Sequence, residues 1–183
     1  MSLRSHIQNL EAQRKLARVS QPISKEYEIA GLLKQLEPRA VLFEQVRQSD
    51  FRVVGNLICS KAAFASYFGI SVSQIIPLLG RAIDERRPCP VVEEAPCQEV
   101  VDFEPDLERL PILTHCAGDG GAYISSGVVI ARHPGYGQNL DFHRCMQFSK
   151  NEMAMRVVQG RHFDTFLQDL GQVDAAVCVG NSP

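Results

Sequence analysis

The sequence predicts an α+β protein: an α/β lobe over residues 1–105, then, over residues 106–183, a mostly antiparallel sheet that is begun and not finished. Three observations lead there. Apolar residues recur at helical spacing through most of the first 85 positions. A proline-punctuated extended stretch then runs to Phe103. From Leu110 onward, short apolar runs alternate with glycine-rich turns, the pattern of antiparallel strands.

Taken in order, Leu3, Ile7, Leu10, Leu16 and Val19 share one helical stripe, so a first helix is expected over residues 3–19, imperfect around Gln13. Ser24 is a candidate N-cap for a second, with Tyr27, Ile29, Leu32, Leu33 and Leu36 as its apolar positions. Glu37-Pro38 ends it, because a residue before proline is pushed out of the helical region. Strands are expected over residues 40–46 and 51–59, and a helix over 61–68 that stops at Gly69. Ser71 or Ser73 caps a further helix over 74–85, closed by Arg86-Arg87-Pro88. Val91, Val92, Val100 and Val101 give the next stretch strand character.

Residues 110–113 read as extended and 118–121 as a glycine-rich loop. A strand over 123–132, the turn His133-Pro134-Gly135-Tyr136-Gly137 and a run over 140–148 form a natural hairpin. Residues 152–158 fit a strand or a helix by period alone, and the Lys150-Asn151 turn favours a strand. A helix over 162–170 and a buried strand over 175–179 complete the pattern, with no internal repeat.

Composition sets limits. Apolar content of 45% and charged content of 22% are ordinary for a soluble globular chain. A net charge of -2 gives no basic footprint, which argues against nucleic acid as a partner. No apolar run approaches the roughly 20 residues of a membrane span. Residues 1–18 mix charges with Leu and Ile and lack the apolar core of a secretory signal, so cytoplasmic residence is expected. Six cysteines are scattered with no C-x-x-C pair, and are expected to be small buried hydrophobes.

The stretch best suited to chemistry comprises Asn139-Leu140-Asp141-Phe142-His143-Arg144 and Gly160-Arg161-His162. It holds a carboxamide, guanidinium groups and imidazoles within 24 residues. Singly, each has a bland reading. Asparagine after a glycine turn bonds its own backbone, an arginine on a strand is a solvated charge, and a histidine opening a helix is a surface residue. The loop at Gly118 to Gly121 lacks a phosphate-binding pattern and reads as a tight turn needing positive φ. His115 and Cys116 point opposite ways in extended chain and make no dyad.

As a set these residues are more specific. Asn139 stands five residues before Arg144, and His162 follows Arg144 by eighteen. Around them lie Leu110-Pro111-Ile112-Leu113-Thr114, Gly118-Asp119-Gly120-Gly121-Ala122-Tyr123-Ile124 and Gly127-Val128-Val129-Ile130. Near the N-terminus stands Ile23-Ser24-Lys25-Glu26-Tyr27-Glu28-Ile29-Ala30. The combination resembles the UbiD family of reversible decarboxylases, over essentially the whole chain.

The resemblance implies a split β-barrel holding prenylated FMN over residues 106–183. It implies the N-terminal part of a carboxy-lyase for an aromatic, heteroaromatic or α,β-unsaturated carboxylic acid. On the same ground Asn139 and His162 match two of three ligands of a divalent metal, Mn2+, that clamps the flavin phosphate, with K+ as a further candidate. Arg144 matches the catalytic arginine; Asp141, Phe142 and His143 pass beside the cofactor, and Arg161 is a candidate for its phosphate. The family's third metal ligand and its proton-transferring glutamates fall beyond the position matching Pro183. This chain alone is therefore expected to be inactive, with a C-terminal partner chain or a homo-oligomer completing it. The alternatives are a non-catalytic flavin- or metal-binding module, or an inactive truncated remnant. Side chains alternate along a strand, so for Asn139 and Arg144 to meet one ligand an irregularity is expected between Leu140 and His143.

Overall fold

A computed structural model describes residues 2–85, 87 and 89–182. Their strands form three open three-stranded sheets, and no closed barrel occurs among the described residues. Helix α1 (Leu3–Ala12) starts at Ser2, whose hydroxyl accepts the Ser5 N–H at 3.2 Å. It stops far short of residue 19, because Arg14 turns left-handed at φ 57°. Leu16–Val19 is instead strand β1, paired in parallel with β2 (Ala40–Phe43). Leu16 buries there with Ala40 and Leu42, so pairing with a distant segment overrides the local helical stripe.

Helix α2 (Glu28–Leu36) follows a turn that Ser24 shapes without capping the helix. Its hydroxyl accepts the Glu26 N–H at 3.0 Å, and its own N–H donates to the Glu28 carboxylate at 2.8 Å. Glu37 ends α2 in extended conformation, ψ 132°, as its proline neighbour requires. Strand β3 (Val53–Gly55) pairs antiparallel with β2. Ile29 of α2 and Val41 and Phe43 of β2 are fully buried and form the centre of this lobe.

Helix α3 (Lys61–Phe68) has the expected bounds, with the Ser60 hydroxyl at its start and Gly69 left-handed at its end. Ser71 and Gln74 form a capping box ahead of α4 (Ile75–Asp84). Arg86 and Pro88, expected to close α4, lie outside the described residues. No single helix is long and apolar enough to cross a membrane; α3 and Val72–Asp84 meet that test only together, across an 82° bend.

The valine-rich stretch that follows is not a strand. Val91 is 99% and Val100 86% exposed, and the described part holds only a 3-10 turn at Pro96–Gln98. Pro90 and Pro96 each remove a backbone donor, which disfavours a ladder there.

Strands β4 (Tyr123–Ile124), β5 (Val128–His133), β6 (Gly137–Phe142), β7 (Cys145–Gln147), β8 (Met153–Met155) and β9 (Ala175–Cys178) make two antiparallel sheets, ordered β4-β7-β8 and β6-β5-β9. Each of the two long strands expected here is split. The first breaks at residues 125–127 and the second at His143-Arg144, and in both cases the chain changes sheet at the break. Gly127 permits the first corner, since a Cβ there would lie 2.8 Å from Ile124 Cγ2 and 3.3 Å from Val177 Cγ1. The β5–β6 hairpin closes as expected: His133 Nδ1 accepts the N–H groups of Gly135 and Tyr136 at 3.0 and 3.2 Å. Strand β9 is an edge with Ala175 and Ala176 exposed, not the buried strand expected.

Between these sheets and helix α5 (His162–Leu170) lies a second core, with Ile124, Val129, Cys145, Phe163 and Phe166 at its centre. Cys145 is the one fully enclosed thiol among the described residues, and burial pushes its pKa up. Cys89, Cys97 and Cys116 are exposed, contrary to the expectation of buried thiols.

The loop from Gly118 to Gly121 contains no positive-φ residue, so it is not the glycine-demanding turn expected. Its shape comes from Asp119, whose Oδ2 accepts the backbone N–H groups of Cys116 at 3.0 Å and His115 at 3.1 Å. The Cys116 N–H, chiefly, holds the Asp119 carboxyl below the ordinary carboxylate range, and the His115 N–H adds to this. A depressed folded-state value means the tie is present above the unfolded carboxylate value of about 3.9 and is lost as pH falls through the folded value. An NMR titration should place the Asp119 midpoint below that of a free aspartate. A midpoint at or above the free value would show that the loop is held otherwise.

Candidate active site

Strand β6 positions the site. Its ladder to β5 is unbroken from Gly137 opposite His133 to Phe142 opposite Val128. The irregularity expected between Leu140 and His143 falls one step later, at His143-Arg144, where the chain changes sheet. Strict alternation therefore governs Asn139 and Asp141, and Arg144 is released from it. Asn139 and Asp141 stand opposite Ala131 and Val129, on the face that packs into the core. Leu140 and Phe142 point the other way and are exposed.

On the inward face a chain of polar contacts runs from β6 to α5. Asn139 Nδ2 donates to Asp141 Oδ2 at 2.9 Å, and Asn139 Oδ1 lies 3.2 Å from His162 Nδ1. His162 is the first residue of α5, placed by Gly160 at φ 75° and by a 2.8 Å bond from the Gly160 N–H to Asp164 Oδ2. His143 is buried, with its ring edge-on to Phe163 at 5.3 Å. Its Nδ1 is 3.1 Å from the Arg156 carbonyl, which can only accept, so Nδ1 carries the proton. His143 Nε2 sits 2.9 Å from Asp141 Oδ1, yet neither atom has a properly directed hydrogen bond. The contact is one of close approach between an imidazole and a carboxylate, and is weaker than its distance suggests.

These residues line a cleft of about 750 Å³. All of Asn139, Asp141, Phe142, His143, Arg144, Arg161 and His162 line it. Arg156, which no sequence pattern singled out, joins them from beyond β8. The cleft thus gathers three guanidinium groups, Arg144, Arg156 and Arg161, against the single carboxylate of Asp141. None of the three is paired with a carboxylate among the described residues. Such a surface favours an anion, and guanidinium forks suit phosphate and carboxylate oxygens.

Asn139 Oδ1 and His162 Nδ1 also fit a hard cation. Two neighbouring ligands of an octahedral ion with bonds of about 2.1 Å lie about 3 Å apart, and these two atoms are 3.2 Å apart. No cluster of three His, Cys, Asp or Glu able to hold a metal occurs among the described residues. What is present is a pair of ligands, one carboxamide oxygen and one imidazole nitrogen.

Guanidinium forks beside such a pair, at a corner between antiparallel sheets, have the chemistry to suit an anionic ligand and a cation together. The comparisons with known proteins give the site a family. Residues 90–183 match the 3-octaprenyl-4-hydroxybenzoate carboxy-lyase Rift-related domain, and residues 7–83 match the N-terminal domain of the same enzymes. The chain belongs to the UbiD family of carboxy-lyases.

It is 35% identical over 162 residues to anhydromevalonate phosphate decarboxylase of Methanosarcina mazei, covering 88% of this chain and 37% of that protein. It is 31% identical to the UbiD-class enzyme HmfF from Pelotomaculum thermopropionicum, solved in complex with FMN, with a TM-score of 0.92 over 99% of this chain and 43% of that one. An evolved dimeric form of HmfF in complex with prFMN gives a TM-score of 0.91 at 31% identity, over 98% and 44% of the two chains. The chain spans about two fifths of the length of these relatives.

Proposed function

We propose that this chain supplies the cofactor- and carboxylate-binding side of a UbiD-class site that decarboxylates an aromatic, heteroaromatic or α,β-unsaturated acid. The observation that carries this reading is the convergence of Asn139, His162 and Arg144 on one cleft at a sheet corner. Asn139 Oδ1 and His162 Nδ1 would hold Mn2+, and Arg161 and Arg156 would take up the phosphate of prenylated FMN. Prenylated FMN, when bound, supplies the electron sink for the charge left as carbon dioxide departs. Arg144 presents a planar fork to the substrate carboxylate and orients it. Asp141, Phe142 and His143 border the cofactor's path.

Protonating the carbon after carbon dioxide leaves requires a general acid. Among the described residues Asp141 is the one carboxylate lining the cleft, and its oxygens face Asn139 and His143. We infer that the acid is supplied by a residue other than those described as lining this cleft. We place the boundary between the α/β lobe and the flavin-binding domain at residues 105/106, and the protein in the cytoplasm, where its six free thiols would stay reduced.

The test is to co-express the chain with a flavin prenyltransferase in manganese-supplemented medium and measure absorbance and bound metal. A flavin spectrum with bound manganese is expected. A colourless, metal-free protein would sink the reading for this chain by itself.

A further inference from the structure

We propose that Asp141 is a positioning residue. Its carboxylate fixes the Asn139 carboxamide so that Oδ1 faces the cleft, and the buried His143 ring packs beside that carboxylate. The functional meaning of this role rests on the half-site reading above; the hydrogen-bond geometry does not.

A carboxamide has two ends of nearly equal shape and opposite hydrogen-bonding sense. Only the oxygen end can ligate a cation, so a site built on asparagine needs something to forbid the flipped rotamer. A carboxylate does this, because it only accepts. Asp141 Oδ2 lies 2.9 Å from Asn139 Nδ2, which commits the amide nitrogen to Asp141 and turns Oδ1 toward His162 Nδ1 at 3.2 Å. The two residues are two apart on β6, so the strand's alternation puts them on one face without any special turn.

On its other side Asp141 meets a packed wall rather than a hydrogen bond. Oδ1 lies 2.9 Å from His143 Nε2, and the His143 ring is anchored through Nδ1 to the Arg156 carbonyl at 3.1 Å. That ring is only 8% exposed and is stacked edge-on against Phe163, so it has little freedom to move away. The hydrogen-bonded support is the single step from Asp141 to Asn139, with the His143 ring as a packed wall beside it. The Arg156 carbonyl thus anchors the His143 ring while the same residue lines the cleft.

The experiment labels the chain with 15N-asparagine and follows the Asn139 carboxamide, assigned with Asn139→Ser, in wild type, Asp141→Ala and Asp141→Asn. In wild type the Asn139 NH2 should show one downfield, slowly exchanging proton. Asp141→Ala should lose it, and Asp141→Asn should keep part of it, because its amide oxygen can still accept. The other four asparagine side chains report whether each variant is folded. Mn2+ is then titrated in, with free ion read by electron paramagnetic resonance. Asp141→Ala should need about 10-fold or more Mn2+, the usual cost of losing a ligand's supporting partner. An Asn139 signal that ignores Asp141→Ala overturns the proposal, as does unchanged Mn2+ affinity in that variant. If wild type binds no Mn2+ while the Asn139 signal still depends on Asp141, the positioning role stands and the metal reading falls.

Discussion

His162→Ala is expected to abolish measurable manganese binding by this chain, while Arg144→Ala leaves it intact. The proposed metal pair is Asn139 Oδ1 and His162 Nδ1, 3.2 Å apart, so deleting the imidazole leaves a single carboxamide oxygen. Losing a direct ligand should cost more than the roughly 10–100-fold seen when only a supporting partner is lost. Because His162 is exposed at the first position of α5, its removal opens no core cavity and the fold should persist. Arg144 lines the same cleft but makes no hydrogen bond to Asn139 or His162. Its loss should appear instead in turnover by the completed enzyme. Losing a charge-assisted hydrogen bond costs about 1.5–3 kcal/mol, or roughly 10- to 100-fold in kcat/KM. Arg144→Lys should recover little, since a point charge does not reproduce a two-pronged fork. Metal titration of both variants decides the matter: equal losses would mean that the cleft is not divided between a metal side and a carboxylate side.

Local signals explain which parts of the fold were legible in the sequence. Helix α3 has a serine cap and a left-handed glycine at its two ends, and α5 has Phe163 and Phe166 on one face, so both were readable from neighbours along the chain. Strand β1 was not, because Leu16 and Val19 also fit a helical stripe and only Ala40–Phe43, more than twenty residues away, decides between the two. The two sheet-switching strands were read as continuous for the same reason. Apolar character runs through residues 123–132, and nothing local reveals that Ile124 pairs with Cys145 while Val128 pairs with Phe142. Within the site, the spacing of Asn139, Arg144 and His162 was visible in the chain. Arg156 was invisible, being one arginine after a short strand until β8 pairs with β7 and carries it to the cleft. The Asp141–His143 approach was hidden too, because it depends on where β6 leaves its sheet.

Phe163→Ala should be the most damaging single truncation for the site as a whole, although Phe163 does not line the cleft. The side chain is 3% exposed and sits in the core formed with Ile124, Val129, Cys145 and Phe166. Removing it should cost about 3–5 kcal/mol through lost burial plus the cavity left behind. It should show as a lower denaturant midpoint with an unchanged slope. Two site residues depend on that ring. His162 precedes it at the start of α5, so a helix that rocks into the cavity carries the imidazole away from Asn139. His143 packs edge-on against it at 5.3 Å and would lose one wall of its enclosure. Phe163→Leu keeps most of the volume and should recover most of the stability. If the ring acts only as filler, leucine should restore manganese binding as fully as it restores the midpoint. If its face also orients His143, metal affinity should stay depressed in Phe163→Leu after stability has returned. That second result is the one expected, because an aromatic edge contact is directional and an aliphatic side chain of similar size does not supply it.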